Sequence, residues 1–203
     1  MSLSESEIVA IDEAIHQTYR LKSLKRTGWV RRGLAATESV ADHCFQTLVL
    51  ALLLGHTRAL DPSLDLNRLL QLLIVHDLAE SDPDVGDITP HCGVSKEEKT
   101  RREARAIERW SHHLPGGGTL RELWDEYEQG ESREARIARE IDALEMGLQA
   151  AEYASSQNAD LTEFLESARG RIHDPVLKRL LEPSEGPRAE PAAREAGPGG
   201  RKV

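Results

Sequence analysis

Apolar residues recur at helical spacing along almost the whole chain, and almost nowhere do they alternate as strands require. Ile8, Ile11, Ala14, Ile15 and Tyr19 mark one face of a segment from Glu7 to about Leu24. Lys25–Gly33 is basic, carries two glycines and reads as a loop. Ser39-Val40-Ala41-Asp42 has the form of a capping box and opens a helix to about Gly55. After a turn at Asp61-Pro62-Ser63, Asp65 caps a helix from Leu66 to about Ala79. That helix is apolar on several sides, as a central helix would be. Residues 81–94 hold two prolines and two glycines and form a second loop.

Ser95-Lys96-Glu97-Glu98 reads as another capping box. It starts a charged helix to about His112, with Ala104, Ile107 and Trp110 inward. Pro115-Gly116-Gly117-Gly118 is a break, followed by a short helix with Leu120, Leu123, Trp124 and Tyr127 on one side, ended by Gly130. Ser132 opens a longer helix to about Tyr153, with Ile137, Ile141, Leu144 and Leu148 inside and Asp142 at the border of that stripe. A last helical region covers 160–182, interrupted around Gly170 and Pro175. The expectation is one all-α domain over residues 1–182. Residues 183–203 hold four prolines and four glycines and no apolar period, and read as a disordered tail.

Composition narrows the function. With 203 residues, 39% of them hydrophobic, the chain can bury one good core. Aromatics make up 4%, so that core is aliphatic and suits helix packing. A net charge of −9 disfavours nucleic-acid polymers as partners but leaves room for a small anionic substrate beside a metal and a few arginines. Two cysteines, Cys44 and Cys92, make no disulfide framework, so a reducing compartment is expected. The acidic N-terminus is unlike a signal peptide, and the apolar run near Leu48–Leu54 is too short for a bilayer. The expected location is therefore cytoplasmic, with no membrane contact.

The candidate chemistry centres on His76-Asp77, an ionisable pair closing the apolar run Leu69–Val75. Burying such a pair unpartnered costs several kcal/mol, and a divalent metal would offset that cost. His43, at a helix start that disfavours the charged imidazole, and Asp142 are the further candidate ligands. Two imidazoles and two carboxylates suit Mn, Co, Zn, Fe or Ni. His43 lies 33 residues before His76, and Asp142 lies 65 after Asp77, so only the tertiary fold can assemble the set. The remaining histidines read as structural or surface groups, with His91 notable for lying in the loop beside the pair.

Several stretches together resemble the HD-domain metal-dependent phosphohydrolases, and among them the small 5'-deoxynucleotidases. They are Lys25-Arg26-Thr27-Gly28-Trp29-Val30, Glu38-Ser39-Val40-Ala41-Asp42-His43, Val75-His76-Asp77-Leu78-Ala79-Glu80, Val85-Gly86-Asp87-Ile88-Thr89-Pro90, Lys96-Glu97-Glu98-Lys99 and Leu123-Trp124-Asp125-Glu126-Tyr127-Glu128. The likeness runs from about residue 15 to 182. It implies an HD-domain helical bundle with His43, His76, Asp77 and Asp142 as metal ligands. It also implies Glu80 as a catalytic carboxylate, Asp87 as a second acid near the substrate or the attacking water, and Arg26 as a phosphate-binding group. The implied reaction converts 2'-deoxyribonucleoside 5'-monophosphates to deoxynucleosides and phosphate. Turnover of triphosphates or cyclic nucleotides, and a non-catalytic regulatory role, are the alternatives. The chain departs from the family around His91-Cys92-Gly93, which bears on substrate preference. The family is often dimeric, and Leu120, Leu123, Trp124 and Tyr127 would serve a homodimer if they face solvent; internal packing is the other reading.

Overall fold

A computed structural model of the chain describes residues 3–57, 59–89 and 92–182. The expected disordered tail and His91 lie outside the described residues. Among those residues there are nine α-helices and no strand, only an isolated antiparallel bridge between Lys25 and Ser39. The helices are α1 (Glu5–Thr18), α2 (Thr27–Arg31), α3 (Val40–His56), α4 (Leu66–Val75) and α5 (Lys96–His113), then α6 (Gly117–Gln129), α7 (Arg133–Gln157), α8 (Thr162–Arg171) and α9 (Pro175–Leu181).

Local sequence explains most of the boundaries. Ser39 and Asp42 form the reciprocal capping box at α3, and Asp65 accepts from the backbone N–H groups of Asn67 and Arg68 at α4. Ser95 caps α5 by accepting from Glu98 N, but the return bond from the Glu98 side chain is not made. The αL residues Gly130 and Asn158 close α6 and α7. The basic stretch expected as loop contains the single turn α2 instead. Gly28 is tolerated inside it because Phe164 of α8 packs where its side chain would be.

α4 and α7 form the middle of the bundle. Leu69, Leu72, Leu73, Ile141 and Leu144 are fully buried and share one core with Ile107, Trp124 and Tyr127. Of the α6 stripe, Leu123, Trp124 and Tyr127 are thus buried inside the molecule, and Leu120 is half-buried. α4 stops at Val75, earlier than its apolar pattern suggests, and the chain passes through His76 and Asp77 into a 3-10 turn, Leu78–Ser81. Both cysteines are free thiols, as expected. No described helix is long and apolar enough to cross a membrane.

Candidate metal centre

The early end of α4 decides the geometry. Successive helical side chains point about 100° apart, so neighbours cannot converge on one point while the helix continues. His76 still has αR dihedrals, whereas Asp77 has φ −105° and ψ 10°, the bridge region outside regular helix. His76 Nε2 and Asp77 Oδ2 thereby come within 3.2 Å. α3 brings His43 Nε2 to 3.4 Å from His76 Nε2 and 3.7 Å from Asp77 Oδ2. α7 adds Asp142, whose Oδ1 lies 3.3 Å from His43 Nε2. Donor atoms of His43, His76 and Asp77 thus lie within 4.8 Å of one another, and Asp142 joins this cluster through His43.

Three of these four spacings fit a cation. N and O donors each about 2.1 Å from one ion lie roughly 3.0–3.4 Å apart, depending on the coordination polyhedron. Both imidazoles are also fixed from behind. His76 Nδ1 is 2.7 Å from the Leu73 carbonyl, which requires the N–H there and leaves Nε2 to face the other donors. His43 Nδ1 is 2.5 Å from Glu145 Oε2 and donates to it in the same way. The electrostatics agree. Burial and Arg26 oppose a charge on His43, yet its hydrogen bonds to Asp142 and Glu145 prevail and push its pKa up to about 9. Burial would raise Asp142, but the Arg171 guanidinium and the imidazoles hold it well below the usual carboxylate range. The donor set attracts positive charge to its centre.

Arg26, Glu80, Asp87, Lys99 and Arg171 line a cleft of about 580 Å³ over these donors. Arg26 Nη1 is 3.4 Å from Asp77 Oδ2. Glu80 is 1% exposed. Its Oε1 is 4.0 Å from Lys99 Nζ, and its buried Oε2 has no hydrogen-bond partner. Burial, with the charges of Asp77 and Asp87, raises its pKa well above normal. Asp87 is engaged differently. Its Oδ2 accepts from Thr27 N, and its carbonyl accepts from Thr27 Oγ1 at 2.8 Å, tying the 81–94 loop to the start of α2.

Three partners were not picked out from the sequence. Glu145, 2% exposed, lies one turn after Asp142 on α7, and an acid next to the Leu144 core position was its signal. Arg171 Nη2 donates to Asp142 Oδ2 at 2.5 Å from the end of α8, and no sequence pattern announced it. Lys99 pairs with Glu103 at 3.4 Å, an i,i+4 arrangement visible in the chain. Glu38, His43 and Glu145 also cluster, but Nδ1 of His43 is committed to Glu145, and Glu38 accepts from Trp29 Nε1 at 2.8 Å. That group supports the imidazole from behind.

Fold and site together define an all-helical protein with a buried His/Asp donor set suited to a divalent cation beneath a polar cleft. Residues 18–182 match the HD domain model. The chain is 40% identical over 185 residues to the 5'-deoxynucleotidase HDDC2 of Mus musculus, covering 89% of each chain. It is 37% identical over 171 residues to the protein of the same name from Dictyostelium discoideum, covering 79% of this chain and 89% of that one. Among solved structures, the PH0347 protein from Pyrococcus horikoshii superposes with a TM-score of 0.67 at 31% identity, over 83% of this chain and 98% of that one. The chain belongs to the HD-domain family, whose phosphohydrolases are metal-dependent.

Proposed function

We propose that the protein is a metal-dependent 5'-deoxynucleotidase, hydrolysing 2'-deoxyribonucleoside 5'-monophosphates to deoxynucleosides and inorganic phosphate. The observation that carries this reading is the cluster of His43, His76 and Asp77 donors, joined by Asp142 through His43, under a cleft in a chain 40% identical to a named 5'-deoxynucleotidase along most of both lengths. In this reading residues 1–182 form the catalytic domain.

His43, His76, Asp77 and Asp142 hold the metal, one of Mn, Co, Zn, Fe or Ni. A divalent cation there would neutralise a phosphoryl oxygen and acidify a water. Arg26, beside Asp77 and facing the cleft, pairs its guanidinium with the non-bridging oxygens of the phosphate. Glu80 and Asp87 separate into different roles. Glu80 Oε2 is buried without a partner, and a water attacking phosphorus would supply the hydrogen bond that it lacks. Asp87 is committed to Thr27 and fixes the backbone that carries Arg26, so it acts by position. Lys99 keeps a positive charge beside Glu80 and favours its carboxylate form.

The test is phosphate release from deoxynucleoside monophosphates in Mn and in Co, against ribonucleotides, triphosphates, cyclic nucleotides and a chelator control. Metal-dependent release from the deoxy monophosphates, abolished in His76→Ala, is expected. Release from triphosphates or cyclic nucleotides alone would overturn the substrate. Stoichiometric metal binding with no turnover of any of them would favour a regulatory role.

A further inference from the structure

Beside the cleft lies a second hollow of about 550 Å³, lined by Trp29 and Phe164 as well as arginines. The two hollows meet at Arg26, Asp87, Thr89 and Arg171, which line both. Phe164, Ser167 and Arg171 fall on one face of α8 at spacings of three and four and line this second hollow together. Arg171, at the near end, holds Asp142. Phe164, at the far end, is seven residues or about 10 Å away along the helix. That distance compares with the span from the phosphate of a mononucleotide to the far edge of its base.

The far end has the chemistry for a flat heterocycle. Phe164 is partly exposed, and its ring packs on Trp29 with centroids 4.4 Å apart. Trp29 is itself buried, held by its bond to Glu38 and by an edge contact to Tyr153, so it backs the Phe164 ring instead of meeting a ligand. The planar guanidinium of Arg32 stands 5.8 Å from the Phe164 ring centroid and is paired with Glu163. Gly28 leaves the space that Phe164 occupies: a methyl group there would sit 3.1 Å from the ring edge.

The geometry points to this second hollow as the seat of the nucleoside base, with Phe164 as its stacking platform. The inference rests on the nucleotidase reading, since the phosphate at the donor cluster fixes one end of the substrate. Stacking is indifferent to base identity, because every base has a π face. The subsite therefore predicts a strong requirement for a base and a weak preference among bases.

The experiment compares kcat/KM for a deoxynucleoside 5'-monophosphate with that for 2-deoxyribose 5-phosphate, which carries the same ester and no base. The native protein should favour the nucleotide by about tenfold or more. Phe164→Leu, which keeps apolar bulk without a π face, should bring that ratio towards one, and Phe164→Tyr should restore it. A ratio unchanged in Phe164→Leu, or no preference in the native protein, would overturn the subsite. Equilibrium titration with a free deoxynucleoside, followed by tryptophan fluorescence, decides the same point without turnover. Saturable binding weakened about fivefold or more in Phe164→Leu supports the subsite, and no binding to the native protein refutes it. Absence of all turnover would sink the nucleotidase reading alone and leave the titration to judge the hollow.

Discussion

Removal of the Glu145 carboxylate isolates the support behind His43, a proposed metal ligand, from the ligand itself. His43 is fully buried and Glu145 nearly so, and their Nδ1–Oε2 separation is 2.5 Å. In Glu145→Ala the imidazole N–H loses its acceptor, and the ring is free to turn Nε2 away from Asp77 and Asp142. Loss of such a partner weakens metal binding by about 10- to 100-fold. This corresponds to about 1.4–2.7 kcal/mol. Glu145→Gln keeps an oxygen that can accept the same bond, so it should lose less than about tenfold. Affinity is read by competition between apo-protein and a chelating dye. It is read again as the rise in melting temperature at fixed metal concentration, which should shrink by the same free energy. Melting of the metal-free variants separates simple damage to the core from loss at the site. An affinity of Glu145→Ala within twofold of the native protein would refute the reasoning, as would a Gln variant as weak as the Ala variant.

Glu80→Gln should lower kcat by about 10²–10⁴-fold while metal affinity, read with the same dye, stays within a few-fold; a kcat close to native would remove Glu80 from the chemistry. Burial, only partly offset by Lys99, pushes Glu103 up to about 7 from an ordinary 4.5. The unfolded chain then releases this proton first, so between about pH 4.5 and 7 the group costs stability as pH rises, by up to roughly 3 kcal/mol. Glu103→Gln should therefore gain on the native protein in melting temperature from pH 4.5 to 7.5, and parallel curves would contradict the assignment. In Gly147→Ala the new methyl would sit 2.8 Å from Ala168 Cβ on α8 and 2.5 Å from Leu181 Cδ1 on α9. Overpacking of about 1–3 kcal/mol should exceed a helix-propensity gain of about 1 kcal/mol, giving a lower melting temperature; an unchanged or higher one would show that α8 moves freely.

The elements legible in the sequence were those with local causes. Ser39, Asp65, Ser95 and Ser132 cap the helices they were expected to cap, because a cap depends on residues three or fewer apart. The apolar stripes of α4 and α7 located the core. His43, His76, Asp77 and Asp142 were nameable through likeness to a family, since no local pattern states that residues 33 and 65 positions apart meet. What stayed hidden depended on tertiary contacts. The α2 turn forms although Gly28 and Gly33 in its stretch suggest loop, because Asp87 accepts from its first N–H and Phe164 packs on Gly28. The end of α4 at Val75 reflects what His76 and Asp77 face, and the Leu–Ile–Val run before them would read equally well as a longer helix. The fate of the Leu123–Trp124–Tyr127 stripe could not be decided by periodicity, because a face turned inward and a face turned towards a second copy have the same pattern.

The break at Asp77 also bears on how this protein can be improved. Methods that raise thermostability favour strong helix formers and regular dihedrals, and residues 76–81 are an evident target, following directly on an apolar helix. Continuing α4 by one more turn would swing Asp77 about 100° from His76 and take its carboxylate away from the other three donors. Gains in heat resistance made by that route would be exchanged for cation binding, one residue at a time. Engineering for robustness should therefore leave this junction irregular and look to the α7–α8–α9 packing instead.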